Sequence, residues 1–156
     1  MIAVDIPGFD RLQLEYLVLE YNGTIAVEGE LIEGVADRIR IIAQHLQVHV
    51  VTADTYGTAR QYLRGLPIWY AEVPQIEQAQ SKLAYVRKLG SGATCAIGNG
   101  RNDRLMLEDS ALGIALVQRE GGATQALMAA DLVMVSINAT LELLIHPERL
   151  VATLRA

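Results

Sequence analysis

Apolar residues recur in this chain with two periods that take turns along its length. Ile2, Val4 and Ile6, then Leu12 and Leu14, are spaced by two on either side of Gly8-Phe-Asp10, which predicts a short β-hairpin. Leu17-Val-Leu19 is continuously apolar, as expected where a strand enters the buried middle of a parallel sheet. Over residues 33–47 the period lengthens: Val35, Ile39, Ile42, Ala43 and Leu46 recur at helical spacing opposite charged residues. A β-branched run, Val48-His-Val-Val-Thr52, then predicts a strand, and residues 55–63 a helix that closes near Gly65 and Pro67. The alternation continues with a strand over 68–73, a helix over 75–89 stopped by Gly90 and a strand over 93–97. A short helix over 102–110, a strand over 112–117, a helix over 122–130, a strand over 132–135 and two helical segments complete the chain.

Repeated β-α units of this length predict an α/β fold, a Rossmann-like three-layer αβα sandwich with a mostly parallel sheet and right-handed crossovers, preceded by the hairpin. The 156 residues suit one domain spanning 1–156, with no internal repeat, low-complexity stretch or linker. With 51% hydrophobic, 20% charged and only 5% aromatic residues, the core is expected to be mostly Leu, Ile, Val and Ala.

Charge and cysteine usage then narrow the partners. A net charge of −5, without a clustered Lys/Arg face, argues against nucleic-acid binding by phosphate neutralisation. Cys95 is the single cysteine, so no intramolecular disulfide forms, and its apolar run Ala93-Thr-Cys-Ala-Ile97 marks it as a buried strand residue. No apolar run is long enough to span a bilayer and no basic stretch leads an apolar core at the N-terminus, so the expectation is a cytoplasmic protein without membrane partners.

Two loops carry the candidate chemistry. Leu17-Val-Leu-Glu-Tyr-Asn-Gly-Thr24 and Ile97-Gly-Asn-Gly-Arg-Asn-Asp103 are each an apolar strand that ends in a polar, glycine-bearing loop. In an open α/β sheet such loops meet outside the carboxyl ends of the strands, where ligands bind. Asn22-Gly23 also reads as a hairpin turn pairing residues 17–20 with 24–27, and both readings stand at this point.

The residues resemble the haloacid dehalogenase superfamily over essentially the whole chain. The likeness is greatest to its small, capless members similar to the phosphorylation domain of P-type ATPases. That family's first motif, a strand followed by Asp-x-Asp/Thr/Asn-Gly-Thr, is matched by Glu20-Tyr-Asn-Gly-Thr24 except at the opening position. Thr52 matches its strand-ending Ser or Thr, Lys82 its helical lysine, and Gly98-Asn-Gly-Arg-Asn-Asp103 its Gly-Asp-Gly-x-Asn-Asp loop. The last motif, with Arg104-Leu-Met-Leu and Ala111-Leu-Gly-Ile-Ala behind it, is the specific one; Thr52 and Lys82 gain meaning only from their order.

The resemblance implies a Mg²⁺-dependent phosphohydrolase acting through an acyl phosphate. Its catalytic residues would be Glu20, Asn22 and Lys82; Gly23, Thr52, Ala53 and Lys82 would hold phosphate; Glu20, Asn22, Asn99 and Asp103 would hold the metal. Glu20 has one methylene more than aspartate, which displaces its oxygen by about 1 Å, and misplacement on that scale can cost about 10²-fold. Asn22 cannot do general acid–base work, and Asn99 brings no charge to a cation, so attenuated turnover and weakened Mg²⁺ affinity are expected. His45, His49 and His146 show no metal-ligand spacing and are read as surface or strand residues.

Residues 25–51 and 53–81 leave no room for a large cap, so the site is expected to be open, with only residues 26–31 as a small flap. An open site implies a small or macromolecular phosphorylated substrate, or a homo-oligomer in which a neighbour covers the crevice. The competing reading is a non-catalytic member of the same fold that binds or regulates. A nucleotide-binding Rossmann protein fits less well, because Gly98-x-Gly-x-x-Asp lacks a final glycine and lies late in the chain.

Overall fold

A computed structural model of the chain describes residues 1–54 and 56–156. Its centre is a six-stranded sheet with every neighbouring pair parallel, in the order β10-β9-β8-β3-β6-β7. The strands are β3 (Tyr16–Leu19), β6 (Gln47–Thr52), β7 (Trp69–Glu72), β8 (Thr94–Gly98), β9 (Leu112–Leu116) and β10 (Leu132–Met134). Ahead of it, β1 (Ile2–Ile6) and β2 (Asp10–Leu14) form an antiparallel hairpin, and β4 (Ala26–Val27) pairs with β5 (Glu30–Leu31) in a second, smaller one.

Successive side chains of a strand point to opposite faces, and the sequence uses the two faces differently. Leu17, Leu19, Val48, Val50, Cys95, Ile97, Ile114 and Leu116 share one face. There they meet α1 (Val35–Ile42), α2 (Ala59–Tyr62), α6 (Ile137–Ile145), α7 (Glu148–Leu154) and the first hairpin. Val18, Val51, Ala96 and Ala115 face the other way, against α3 (Gln78–Leu89), α4 (Arg104–Asp109) and α5 (Thr124–Ala129). The second face is built of small side chains, which lets its helices approach the sheet closely. The result is the three-layer α/β sandwich that the alternation of periods predicts.

Several boundaries differ from the sequence expectation, each for a local reason. The helix predicted over 33–47 ends at Ile42, because the Gln47 amide already donates to the Glu15 carbonyl (2.9 Å) as the chain enters the sheet. The helix predicted over 55–63 is confined to Ala59–Tyr62; Thr55 lies outside the described residues. The helix predicted over 75–89 starts at Gln78, since Gln75 is held by its side-chain donation to the Ala53 carbonyl (2.8 Å). Its stop at Gly90 is as predicted.

The hairpin reading of Asn22-Gly23 does not hold: β3 pairs with β6 and β8, and the short hairpin forms one step later, between Ala26–Val27 and Glu30–Leu31. Its turn is fastened, because the Gly29 carbonyl accepts from both Tyr21 Oη (2.9 Å) and Thr58 Oγ1 (2.7 Å). Nothing larger is inserted between β3 and α1. Among the described residues, no helix is long and apolar enough to cross a membrane.

Candidate active site

The strand order reverses at β3: the chain moves outward to β6 and β7, then returns to the other side of β3 for β8, β9 and β10. The crevice at such a switch point is where open α/β sheets bind ligands. Three segments end there side by side. Glu20 follows β3 directly, Thr52 is the last residue of β6, and Asn99 follows β8. Parallel register aligns them, and the Glu20 amide extends the ladder by donating to the Ile97 carbonyl (3.1 Å).

Lys82 reaches this crevice from α3. On that helix Ala79, Lys82 and Val86 form one buried stripe, so a lysine occupies a position where an amphipathic helix normally carries an apolar residue. Its Nζ pairs with Glu20 Oε2 and donates to Asp103 Oδ1 (2.8 Å) and Asn102 Oδ1 (3.1 Å). Thr52 Oγ1 donates to the other Glu20 oxygen (2.9 Å) and accepts from the Asp54 amide (3.0 Å). Asp103 Oδ2 accepts from the amides of Asn99 (3.0 Å) and Gly100 (2.8 Å), closing its own loop. Glu20, Lys82 and Asp103 are 5%, 1% and 0% exposed.

Two carboxylates share one ammonium here, out of water. Isolating such charges costs several kcal/mol per ion, of which pairing returns only part. The imbalance falls on Glu20: burial, with the Asp103 charge adding to it, holds its pKa above the usual 4.5 although Lys82 pulls the other way. Burial alone would lower the Lys82 pKa, but Asp103 and Glu20 hold it above the ordinary lysine value. A buried cluster with an excess of negative charge is an expensive way to stabilise a fold, and it has the composition of a site that accepts a cation or exchanges a proton.

The surrounding loops are held by contacts the sequence did not reveal. Gly23 has φ +75°, and a Cβ there would lie 2.3 Å from the Asn99 side chain. At Gly98 a Cβ would strike the Asp103 carboxyl at 2.5 Å, so glycine lets Asp103 fold beneath the strand end. Asn99 Oδ1 accepts from Thr24 Oγ1 (3.3 Å) and its Nδ2 donates to the Gly121 carbonyl (3.1 Å), so its amide ties two loops together. Gln118 Nε2 donates to the carbonyls of Gly23 (3.3 Å) and Thr24 (2.9 Å), while its Oε1 accepts from the Ile137 amide at the start of α6. Gln118 belongs to the site's scaffold without any motif of its own, and Asn102 was legible only as a position of the Gly98–Asp103 motif. Ala53 lies beside Thr52 with its carbonyl engaged by Gln75.

The structure thus draws Glu20, Thr52, Lys82 and Asp103 into one network and sets Asn99 beside it, facing the first loop. Among the described residues, the buried Asn22 Oδ1 has no hydrogen-bond partner. The donors at hand are all oxygen: two carboxylates, the Asn22 and Asn99 amides, and backbone carbonyls. Among the described residues no group of three or more His, Cys, Asp or Glu side chains converges. Hard oxygen donors and an unpartnered Asn22 oxygen suit Mg²⁺, which keeps several waters and needs few protein carboxylates, so the residues fit that ion as a weak site. Of the three histidines, His45 and His146 are exposed, and His49 is a buried strand residue whose Nδ1 lies 2.7 Å from Tyr85 Oη.

No protein-family model matches the chain. It is 43% identical over 60 residues to an uncharacterized protein of Methanocaldococcus jannaschii, a match covering 38% of this chain and 64% of that protein. Among solved structures, the 3-deoxy-D-manno-octulosonate 8-phosphate phosphatase of Moraxella catarrhalis superposes with a TM-score of 0.67 at 15% identity. That likeness covers 90% of this chain and 93% of that one. A HAD-superfamily (subfamily III A) hydrolase of Legionella pneumophila gives a TM-score of 0.68 at 16% identity, covering 90% and 86%. A zinc-transporting PIB-type ATPase gives 0.62 at 25% identity over 79% of this chain and 20% of that one. The six-stranded parallel sheet and these likenesses give the chain a haloacid dehalogenase-like fold, with no cap domain among the described residues.

Proposed function

We propose that this chain is a divalent-cation-assisted phosphohydrolase of low turnover, with Glu20 as the attacking carboxylate. The carrying observation is the buried ammonium of Lys82, bridging Glu20 and Asp103 at the switch point of the sheet. The solved phosphatase of Moraxella catarrhalis, of the same fold, is described in complex with magnesium and phosphate, which supports the choice of cation and substrate class.

In this reading a Glu20 oxygen attacks the phosphorus of a phosphate monoester, the bond from phosphorus to the alcohol oxygen breaks, and that oxygen takes its proton from water. Water then attacks the phosphorus of the acyl phosphate, releasing inorganic phosphate and restoring the Glu20 carboxylate. Lys82 and Thr52 turn their donors from Glu20 to the transferred oxygens, where charge develops. Asn22 holds no exchangeable acid, so neither proton transfer is assisted from that position. A bound Mg²⁺ would supply electrostatic neutralisation of the phosphate oxygens. Glu20, Asn22, Asn99 and Asp103 would hold it, Asp103 directly or through a water. Gly23, Thr52 and Ala53 would line the phosphate.

A second reading, a non-catalytic binding or regulatory protein, draws on the same network: both Glu20 oxygens are engaged by Thr52 and Lys82, and Glu20 is only 5% exposed. Phosphate release from p-nitrophenyl phosphate, with and without Mg²⁺, separates the two. Mg²⁺-dependent turnover in the parent, lost in Glu20→Ala, is the expected result. Turnover that appears only in Glu20→Asp would instead establish a fold whose chemistry the extra methylene has switched off.

A further inference from the structure

Beside the candidate site, the first turn of α3 and the loop after β8 border a shallow, open groove of about 440 Å³. Gln75, Gln78, Gln80, Arg101, Asn102 and Arg104 supply its polar wall. Among the described residues no carboxylate lines it, although Asp and Glu outnumber Lys and Arg by 18 to 13 in the chain. The arginines that do pair with acids, Arg38, Arg40, Arg60, Arg87 and Arg149, lie elsewhere. Arg101 and Arg104 are instead linked to each other, Arg104 Nη1 donating to the Arg101 carbonyl (2.9 Å), and among the described residues neither guanidinium meets a carboxylate.

Asn102 joins groove and site. Its Oδ1 accepts from Lys82 Nζ (3.1 Å), while its Nδ2 donates to Gln78 Oε1 (2.7 Å) on the groove wall. A ligand whose phosphate ester sat at Glu20 would therefore extend over Asn102 toward these two guanidiniums, groups that recognise phosphate and carboxylate through forked donors. The other sizeable cavity at this end of the sheet, about 590 Å³, mixes Glu30 and Glu33 with Arg119 and carries no such selection for anions.

We infer that this groove is a second anion subsite, and that the substrate is a small bisphosphorylated molecule whose distal phosphate is held by Arg101 and Arg104. The inference rests on the phosphohydrolase reading for which phosphate is cleaved, but its binding test does not. Calorimetric titration would compare fructose 1,6-bisphosphate with fructose 6-phosphate, for the intact chain and for the Arg101→Ala/Arg104→Ala double variant. Thermal unfolding of the double variant would confirm that it is folded.

The intact chain is expected to bind the bisphosphate about tenfold more tightly or better, the scale of one charge-assisted contact. In the double variant the ratio of the two affinities falls toward one, and Arg101→Lys/Arg104→Lys recovers part of it. Equal affinities in the intact chain, or a preference that survives removal of both guanidiniums, would overturn the subsite. A preference that depends on the arginines in a chain that releases no phosphate from either sugar would leave the subsite standing and sink the hydrolase reading alone.

Discussion

Lys82 is the residue on which the site turns, because it is the single ammonium between two buried carboxylates. Replacing it with methionine preserves most of the volume and the apolar stripe of α3 but leaves Glu20 and Asp103 uncompensated. Breaking a buried ion pair in this way costs about 3–5 kcal/mol, which urea denaturation of Lys82→Met near neutral pH should reveal. The loss should shrink as pH falls, since the freed carboxylates can take up protons; a cost that does not change with pH would show that they find other compensation. Asn99 raises a subtler point. Its Nδ2 donates to the Gly121 carbonyl, a role that a carboxylate oxygen cannot take. Asn99→Asp is therefore expected to lower stability by about 1–3 kcal/mol in the absence of metal, and an unchanged urea midpoint would show that this amide does not hold the two loops together.

Among the elements, the geometry of the candidate site depends on loops that other segments hold in place. Gly23 and Thr24 are held by Gln118 from the loop after β9, and through Gln118 by the first turn of α6. Gln118→Ala should leave the sheet intact but free the first loop, lowering p-nitrophenyl phosphate turnover about 10-fold or more by misplacing Glu20. An unaffected rate would mean that the parallel ladder on either side of Glu20 positions it sufficiently. Gly23→Ala tests the same loop from within, since both its positive φ and the approach of Asn99 oppose a Cβ. The expected loss is about 1–3 kcal/mol in a thermal or urea melt. The helix boundaries make a parallel point: α1 stops early because Gln47 is claimed by Glu15, a partner from another part of the chain.

Across the protein as a unit, two buried groups give stability opposite slopes with pH. Glu20 has a pKa above 4.5 in the fold, so the folded chain holds that proton more firmly than the unfolded one. This contributes stability below the ordinary glutamate range that is lost as pH rises through Glu20's folded pKa. His49 is held below 6.5 by burial, so its contribution is present above that value and is lost as pH falls toward its folded pKa. Melting curves between about pH 5 and pH 8 should show Glu20→Gln gaining on the parent as pH rises. Parallel curves would mean that Lys82 neutralises Glu20 fully throughout. Under the proposed function, turnover would follow the same titration with the opposite benefit, since attack by Glu20 would need its ionised form: p-nitrophenyl phosphate hydrolysis is expected to climb as pH rises through its raised pKa.

Periodicity was enough to set the layers. The switch between periods of two and of nearly four separates strands from helices, and the continuously apolar runs at Leu17–Leu19 and Leu112–Leu116 place strands inside a parallel sheet, because burial on both faces leaves no solvent side to mark. Glycine-bearing loops at strand ends marked the segments that carry Glu20 and Asp103, whereas Thr52 and Lys82 were singled out only by the resemblance to the haloacid dehalogenase motifs and the order of those motifs. What those residues touch became visible only on folding. That one ammonium serves two carboxylates, that Asn99 ties loops together, that Gln118 clamps a segment 95 positions away, and that Arg101 and Arg104 face a groove lined by no acid among the described residues are consequences of strand order. Strand order brings together residues from distant parts of the chain, and no local pattern records a neighbour that far away.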